Sequence, residues 1–258
     1  MIACSDQMRF LPPTLALFFL LASCADPAGR AVSEDSIPPE SAPTPVPPRA
    51  ADAPLLEEGP RLEPVDEGTL DPSFQRFRED LRDIVRDRDA ARLMEVVDPA
   101  IRYSFGNGGG VEAFREQWEL DRETASPLWK ELGAVLDLGG AFLPSSEGRM
   151  FFAPYTFSSW PDGIDGFQHL AIICEAATVR ESPEAGSLPI VRLRHHVLRI
   201  GPADPSRQGK SSAWREVVLP GGRRGWVRAE CARSHIDYRA GFERKAGEWR
   251  MALFVAGD

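Results

Sequence analysis

The sequence predicts an α+β body, residues 73 to 258, carried on a disordered N-terminal tether. Three observations carry this reading. Between residues 71 and 140, apolar side chains recur at the 3- and 4-residue spacing of amphipathic helices. From residue 176 onward, short alternating segments separated by Gly and Pro turns replace them, as in a small all-β unit. Ahead of both, Ala25 to Pro72 holds 11 prolines and 11 acidic against 3 basic residues. That composition buries too little apolar surface to fold by itself. The tether also accounts for the charge. The chain carries −9 and the tether −8, so the body is close to neutral and its acidity says little about partners.

The chain opens with a short segment containing Asp6 and Arg9, then the apolar run Leu15 to Ala22. That run is shorter than the ~20 residues that span a bilayer, but it suits a signal-peptide core. Leu21-Ala22-Ser23-Cys24 follows and resembles the lipobox of bacterial lipoproteins. The resemblance implies a leader over residues 1–23 and lipidation of Cys24. It also implies a membrane partner reached through that lipid, and a place in the cell envelope. Ala25, where an inner-membrane lipoprotein commonly has aspartate, favours the periplasmic face of an outer membrane if the cell has one.

Cys4 leaves with such a leader and Cys24 is modified, leaving Cys174 and Cys231. An even pair in an exported chain points to a disulfide. Two buried free thiols are the alternative.

Asp71-Pro72-Ser73 reads as a helix start, with Phe74, Phe77, Leu81, Ile84 and Val85 on one face. Asp89 caps a second helix through Leu93 and Val97, which Asp98-Pro99 stops. Ile101, Tyr103 and Phe105 alternate as in a strand. The glycine-rich turn 106–110 leads to a third helix marked by Val111, Phe114 and Trp118. Ser126-Pro127 begins a fourth, which ends at Gly139-Gly140. Met150 to Phe157 and His169 to Cys174 read as strands. The charge balance then changes from 11 basic and 18 acidic residues (73–175) to 10 basic and 5 acidic (176–232), which places a domain boundary near residue 175.

Residues 176–232 carry Thr178-Val179-Arg180-Glu181-Ser182-Pro183, Leu188 to Leu193, Trp214-Arg215-Glu216-Val217, Gly221-Gly222-Arg223 and Gly225-Trp226-Val227 in order. This series resembles the bacterial SH3-like (SH3b-type) domain. It departs in Thr178, where the family usually has Asn, and in the longer, more polar segment 201–213. The resemblance implies a small barrel in an envelope or cell-wall protein, with peptidoglycan or an envelope protein as partner. Trp214, Trp226 and Arg180 are the candidate ligand-binding residues. The plainer reading of both tryptophans is barrel core.

The first unit is similar, more weakly, to the nuclear transport factor 2-like cone fold of the SnoaL and ketosteroid isomerase group. The two helices, the strand at Ile101 and the glycine entry to the third helix follow its order. Tyr238 to Val255 reads as a hairpin with a Gly-containing turn, Lys245-Ala246-Gly247-Glu248-Trp249-Arg250. Within residues 233–258, that hairpin either returns to complete the first sheet or extends the barrel.

Chemical motifs are few. The glycine run lacks the spacing and the Lys-Ser/Thr ending of a phosphate loop. His169, His195, His196 and His235 contain no i, i+4 pair, and neither a metal nor another cofactor is expected. There is no Gly-x-Ser-x-Gly elbow. A modest basic excess in an exported chain does not suggest nucleic acid. The expected function is therefore non-catalytic: a lipid-anchored envelope protein that binds through its SH3-like unit. The alternative is a small-molecule binder or enzyme, with Asp98, Tyr103, Tyr155 and His169 as pocket candidates.

Overall fold

The computed structural model describes residues 49–106, 109–145, 148–210 and 212–257. The leader, Cys24, the first half of the tether and the Asn107-Gly108 part of the glycine turn lie outside the described residues.

Helix α1, Pro72–Asp87, starts where its capping signal lies. The Asp71 carboxylate accepts the backbone N–H groups of Ser73 at 2.8 Å and Phe74 at 3.2 Å. Asp89 caps α2, Ala90–Val96, in the same way through Arg92 N–H at 3.0 Å. Strand β1, Val97–Arg102, begins at once, because Pro99 cannot continue the helix. Helices α3, Val111–Gln117, and α4, Leu128–Asp137, follow.

Strand β2, Ala141–Ser145, is not foreseen from the sequence, and β3 is Gly148–Ala153. The strand expected to reach Phe157 stops at Pro154, and Tyr155–Ser158 form a short helix, α5. The remaining strands are β4, His169–Ile172; β5, Ala177–Arg180; β6, Pro189–Leu193; β7, Val197–Ile200; β8, Trp214–Val218; β9, Arg224–Arg228; β10, Ala232–Ser234; β11, Arg239–Lys245; and β12, Glu248–Val255.

The fold is α+β with two sheets. The first has the order β1-β12-β11-β3-β2. The final hairpin therefore belongs to the first sheet and supplies its middle. β11 and β12 meet across Ala246-Gly247, whose φ values of 51° and 92° suit a two-residue hairpin turn. The helices bury Phe74, Leu81, Phe114, Trp118, Leu132 and other side chains against Phe151, Phe242, Met251 and Phe254 of this sheet.

The second sheet has the order β10-β4-β7-β8-β9-β5-β6. This corrects two expectations. β4 precedes the anticipated boundary at 175 yet pairs with β10 and β7, so the second sheet draws on residues assigned to the first unit. The strands also do not close into a barrel among the described residues, because β10 and β6 remain separate ends. One face of this sheet buries Val179, Leu193, Leu198, Val217 and Val227. Cys174 and Cys231 are disulfide-bonded, with Cα atoms 5.0 Å apart, and they join the end of β4 to the approach to β10.

The expected disorder of the tether does not hold from Arg49 on. Residues 49–70 form a strap across both sheets. Pro54 carbonyl accepts Arg192 N–H at 2.8 Å, and Leu56 N–H returns to Arg192 carbonyl at 2.9 Å, so the strap covers the β6 edge. Leu62 N–H then donates to His195 carbonyl at 2.7 Å, and Glu67 N–H to Gly140 carbonyl at 2.8 Å. Ala53 and Leu62 are buried. Asp66 pairs with the buried Arg78 of α1 at 2.5 Å. Gly68 leaves the space Arg78 needs, because a Cβ there would lie 2.5 Å from Nη1. Main-chain hydrogen bonds, available to any composition, offset the entropy that prolines have already reduced. Among the described residues, no helix is long and apolar enough to cross a membrane.

The strap and its neighbours set the acid response. Burial opposes ionisation of Asp66, but hydrogen bonds from Arg78 and Gly68 and the charges of Arg78 and Arg82 outweigh it, so its carboxyl sits below the usual range. A depressed carboxyl contributes stability that is present above its unfolded pKa and lost as pH falls through the folded one. Burial likewise lowers His196 and His235, aided by the charges of Arg61 and Arg239 respectively. Here too the unfolded chain binds the extra protons. Thermal melts between pH 8 and 3 should therefore show full stability above about pH 6.5 and a first decline below it, followed by a second decline below about pH 4. Asp66→Asn should flatten the second decline. A melting temperature that is constant from pH 7 to 5 would contradict the histidine part.

Candidate functional site

Strand alternation turns every second side chain of the second sheet away from its apolar core. Val217, Val227 and Val179 point into that core. Trp214 and Glu216 on β8, Arg224, Trp226 and Arg228 on β9, and Arg180 on β5 therefore share the opposite face. The register makes this specific: Trp226 stands between Arg180 and Glu216, and Trp214 opposes Arg228. The three residues singled out from the sequence, Trp214, Trp226 and Arg180, thus lie on one face, away from the Val179, Val217 and Val227 cluster; Trp214 is buried there as a core residue is, and Trp226 is not.

Their roles differ. Trp226 is half-buried at the centre of the face. Trp214 is buried, with the Arg228 guanidinium 5.1 Å from its ring centroid. Arg180 is held by a 2.6 Å hydrogen bond from Nη1 to the Ser187 carbonyl. Glu216, 4% exposed, accepts Ala203 N–H at 2.6 Å and lies 3.6 Å from Arg224. Sequence reasoning omitted Arg224 and Arg228. Their signal was available, since both sit two positions from Trp226 and so share its face.

The turn that leads into β8 is organised by Asp204. This fully buried carboxylate accepts from Ser206 Oγ and N–H, from Arg215 Nε at 3.1 Å, and from Glu216 N–H at 2.7 Å. It fixes β8 and hence the register of the tryptophan face. An aromatic plate among guanidinium groups can stack on sugar or peptide planes and accept carboxylates, with modest loss of side-chain entropy.

The four pocket candidates are not brought together. Asp98 is buried on the other sheet in an ion pair with Lys245 at 3.0 Å. Burial opposes its ionisation, but hydrogen bonds from Ala100 N–H and Lys245 hold its carboxyl low. Tyr103 packs against the helical core. Tyr155 is buried near Leu62, Ala171 and Val197, and that burial pushes its phenol up to about 12. His169 lies on β4, its Nδ1 2.8 Å from the Asp165 carbonyl. Between the helices and the first sheet, Phe74, Phe114, Trp118, Trp129 and Phe254 occupy the space where a cone pocket would open. Among the described residues, no group of three or more His, Cys, Asp or Glu side chains is placed to hold a metal ion.

Compared with known proteins, the chain matches no family model and no curated sequence.

Proposed function

We propose that this chain is a non-catalytic, lipid-anchored envelope protein that binds peptidoglycan through the tryptophan–arginine face of its second sheet. The observation that carries the reading is Trp226, half-exposed on the face opposite the apolar core and set between Arg180 and Glu216 with Arg224 and Arg228 beside it. An aromatic ring that the core does not need, flanked by guanidinium groups, suits alternating sugar rings and acidic peptides. The series of Val-Arg, Trp-x-x-Val and Gly-Trp-Val strands, similar to bacterial SH3-like domains, supports the same partner class. Cys24 supports the anchor through its lipobox-like setting.

The test is retention of residues 49–258 on purified peptidoglycan. Those bounds keep the strap. Binding should fall about tenfold or more in Trp226→Ala, with the far-ultraviolet circular dichroism and melting temperature of the variant near the parent's. Absence of retention by the parent protein, or full retention by the folded variant, would overturn the proposal and leave an envelope protein as the partner to seek.

A further inference from the structure

A separate groove of about 870 Å³ opens where α4 faces the β8 and β10 end of the second sheet. We propose that it binds a short peptide through the peptide's free carboxylate, with Arg233 as the receiving group. Arg233, on β10, is only 9% exposed and lines this groove. A guanidinium has five N–H donors. Here Nη2 donates to the Tyr238 carbonyl at 2.5 Å and Nε is enclosed without a partner, so the Nη1 end of the guanidinium is the part left to meet an entering anion. Among the described residues, no ion pair within 4.0 Å neutralises it. Asp237 and Glu131 act on it only at longer range. A buried cation with unused donors is costly unless an anion meets it, and a carboxylate meets a guanidinium with two parallel bonds. The groove's other guanidinium is already engaged: Arg215 donates to Asp204 and Ser206.

The walls narrow the ligand class. Four acidic residues, Glu131, Asp137, Glu230 and Asp237, and two lysines, Lys130 and Lys210, line the groove beside the two arginines, so both signs of charge are present and a ligand that carries an ammonium group as well as a carboxylate is matched by it. Ala134, Leu138 and Ile173 supply apolar lining for small side chains. A short zwitterionic peptide has all three features. The site uses β10 and α4 rather than the tryptophan face, so either reading can fail without the other.

The test titrates the full chain with trialanine and with trialanine amide, followed by NMR. Trialanine should shift resonances of Tyr238 and Ile173, and the amide should bind about tenfold more weakly or less. Arg233→Gln should abolish binding. Because removing a buried arginine can unfold the chain, Ala134→Phe, which narrows the groove from α4, provides a second variant. It should weaken trialanine binding about tenfold at an unchanged melting temperature. Trp226→Ala should leave it unchanged. Equal binding of acid and amide, binding indifferent to Ala134→Phe, or no shift at millimolar trialanine would each overturn the assignment.

Discussion

Phe74→Ala should lower the unfolding free energy by about 3–5 kcal/mol, the range for deleting a fully buried phenylalanine. Phe74 is fully buried, and its ring lies 4.3 Å from Phe151, 4.9 Å from Trp249, 5.6 Å from Phe242 and 5.7 Å from Phe142, centroid to centroid. It thus joins α1 to β2, β3, β11 and β12. Trp249 is fixed in turn by its indole N–H, which donates to Ser73 Oγ at 2.9 Å. A cavity at the hub of so many large rings cannot be filled by one side chain moving. Urea denaturation measures the loss. Phe77→Ala should cost less, since that ring is only partly buried. A loss below about 1 kcal/mol for Phe74→Ala would mean that the cluster collapses into the space, contrary to the close packing described.

The second large effect is at Cys174–Cys231. The bond closes a loop of 58 residues, from a sequence separation of 57 plus one. On the chain-entropy model, opening it costs about 4 kcal/mol. The double replacement Cys174→Ala with Cys231→Ala should show this in denaturant titration, and reductant should destabilise the parent but not the variant. The loss should be felt first at β10, a three-residue strand that pairs with β4. Equal stability of parent and variant would show that the bond constrains nothing that the sheet does not already hold.

Local features were the most legible in the sequence. Asp71-Pro72, Asp89, Pro99 and Ala246-Gly247 act within a few residues, and each sets the terminus or turn that its chemistry predicts. Strand alternation around Trp226 was legible for the same reason, and so was the cysteine pair. Long-range pairing was not. The strap is rich in proline and acid and makes its attachments mainly through backbone groups, so side-chain patterning suggests disorder where Pro54, Leu56 and Leu62 in fact bond to the second sheet. The assignment of β4 to that sheet depends on its partners β7 and β10, which its own four residues do not specify. β2 was missed because Pro144 and Ser145 mask its short alternation. Arg233 reads as one of many surface arginines until its burial is known.

The nesting of one sheet inside the other has a consequence for biosynthesis. The first sheet contains β1, β2 and β3 from before residue 154, but its β11 and β12 come from the last 20 residues of the chain. β12 lies between β1 and β11, so without it β1 has no neighbour. As the chain leaves the ribosome from its N-terminus, the helices and early strands must wait, with Phe74, Phe114 and Phe151 lacking their partners Phe242 and Phe254. The second sheet, contained within residues 169–234, can form first and bring the two ends of the interrupted sheet together. A chain stopped after residue 236 would thus retain the inner sheet and leave the outer one with its apolar side exposed, a substrate for chaperones and proteases rather than a smaller working protein.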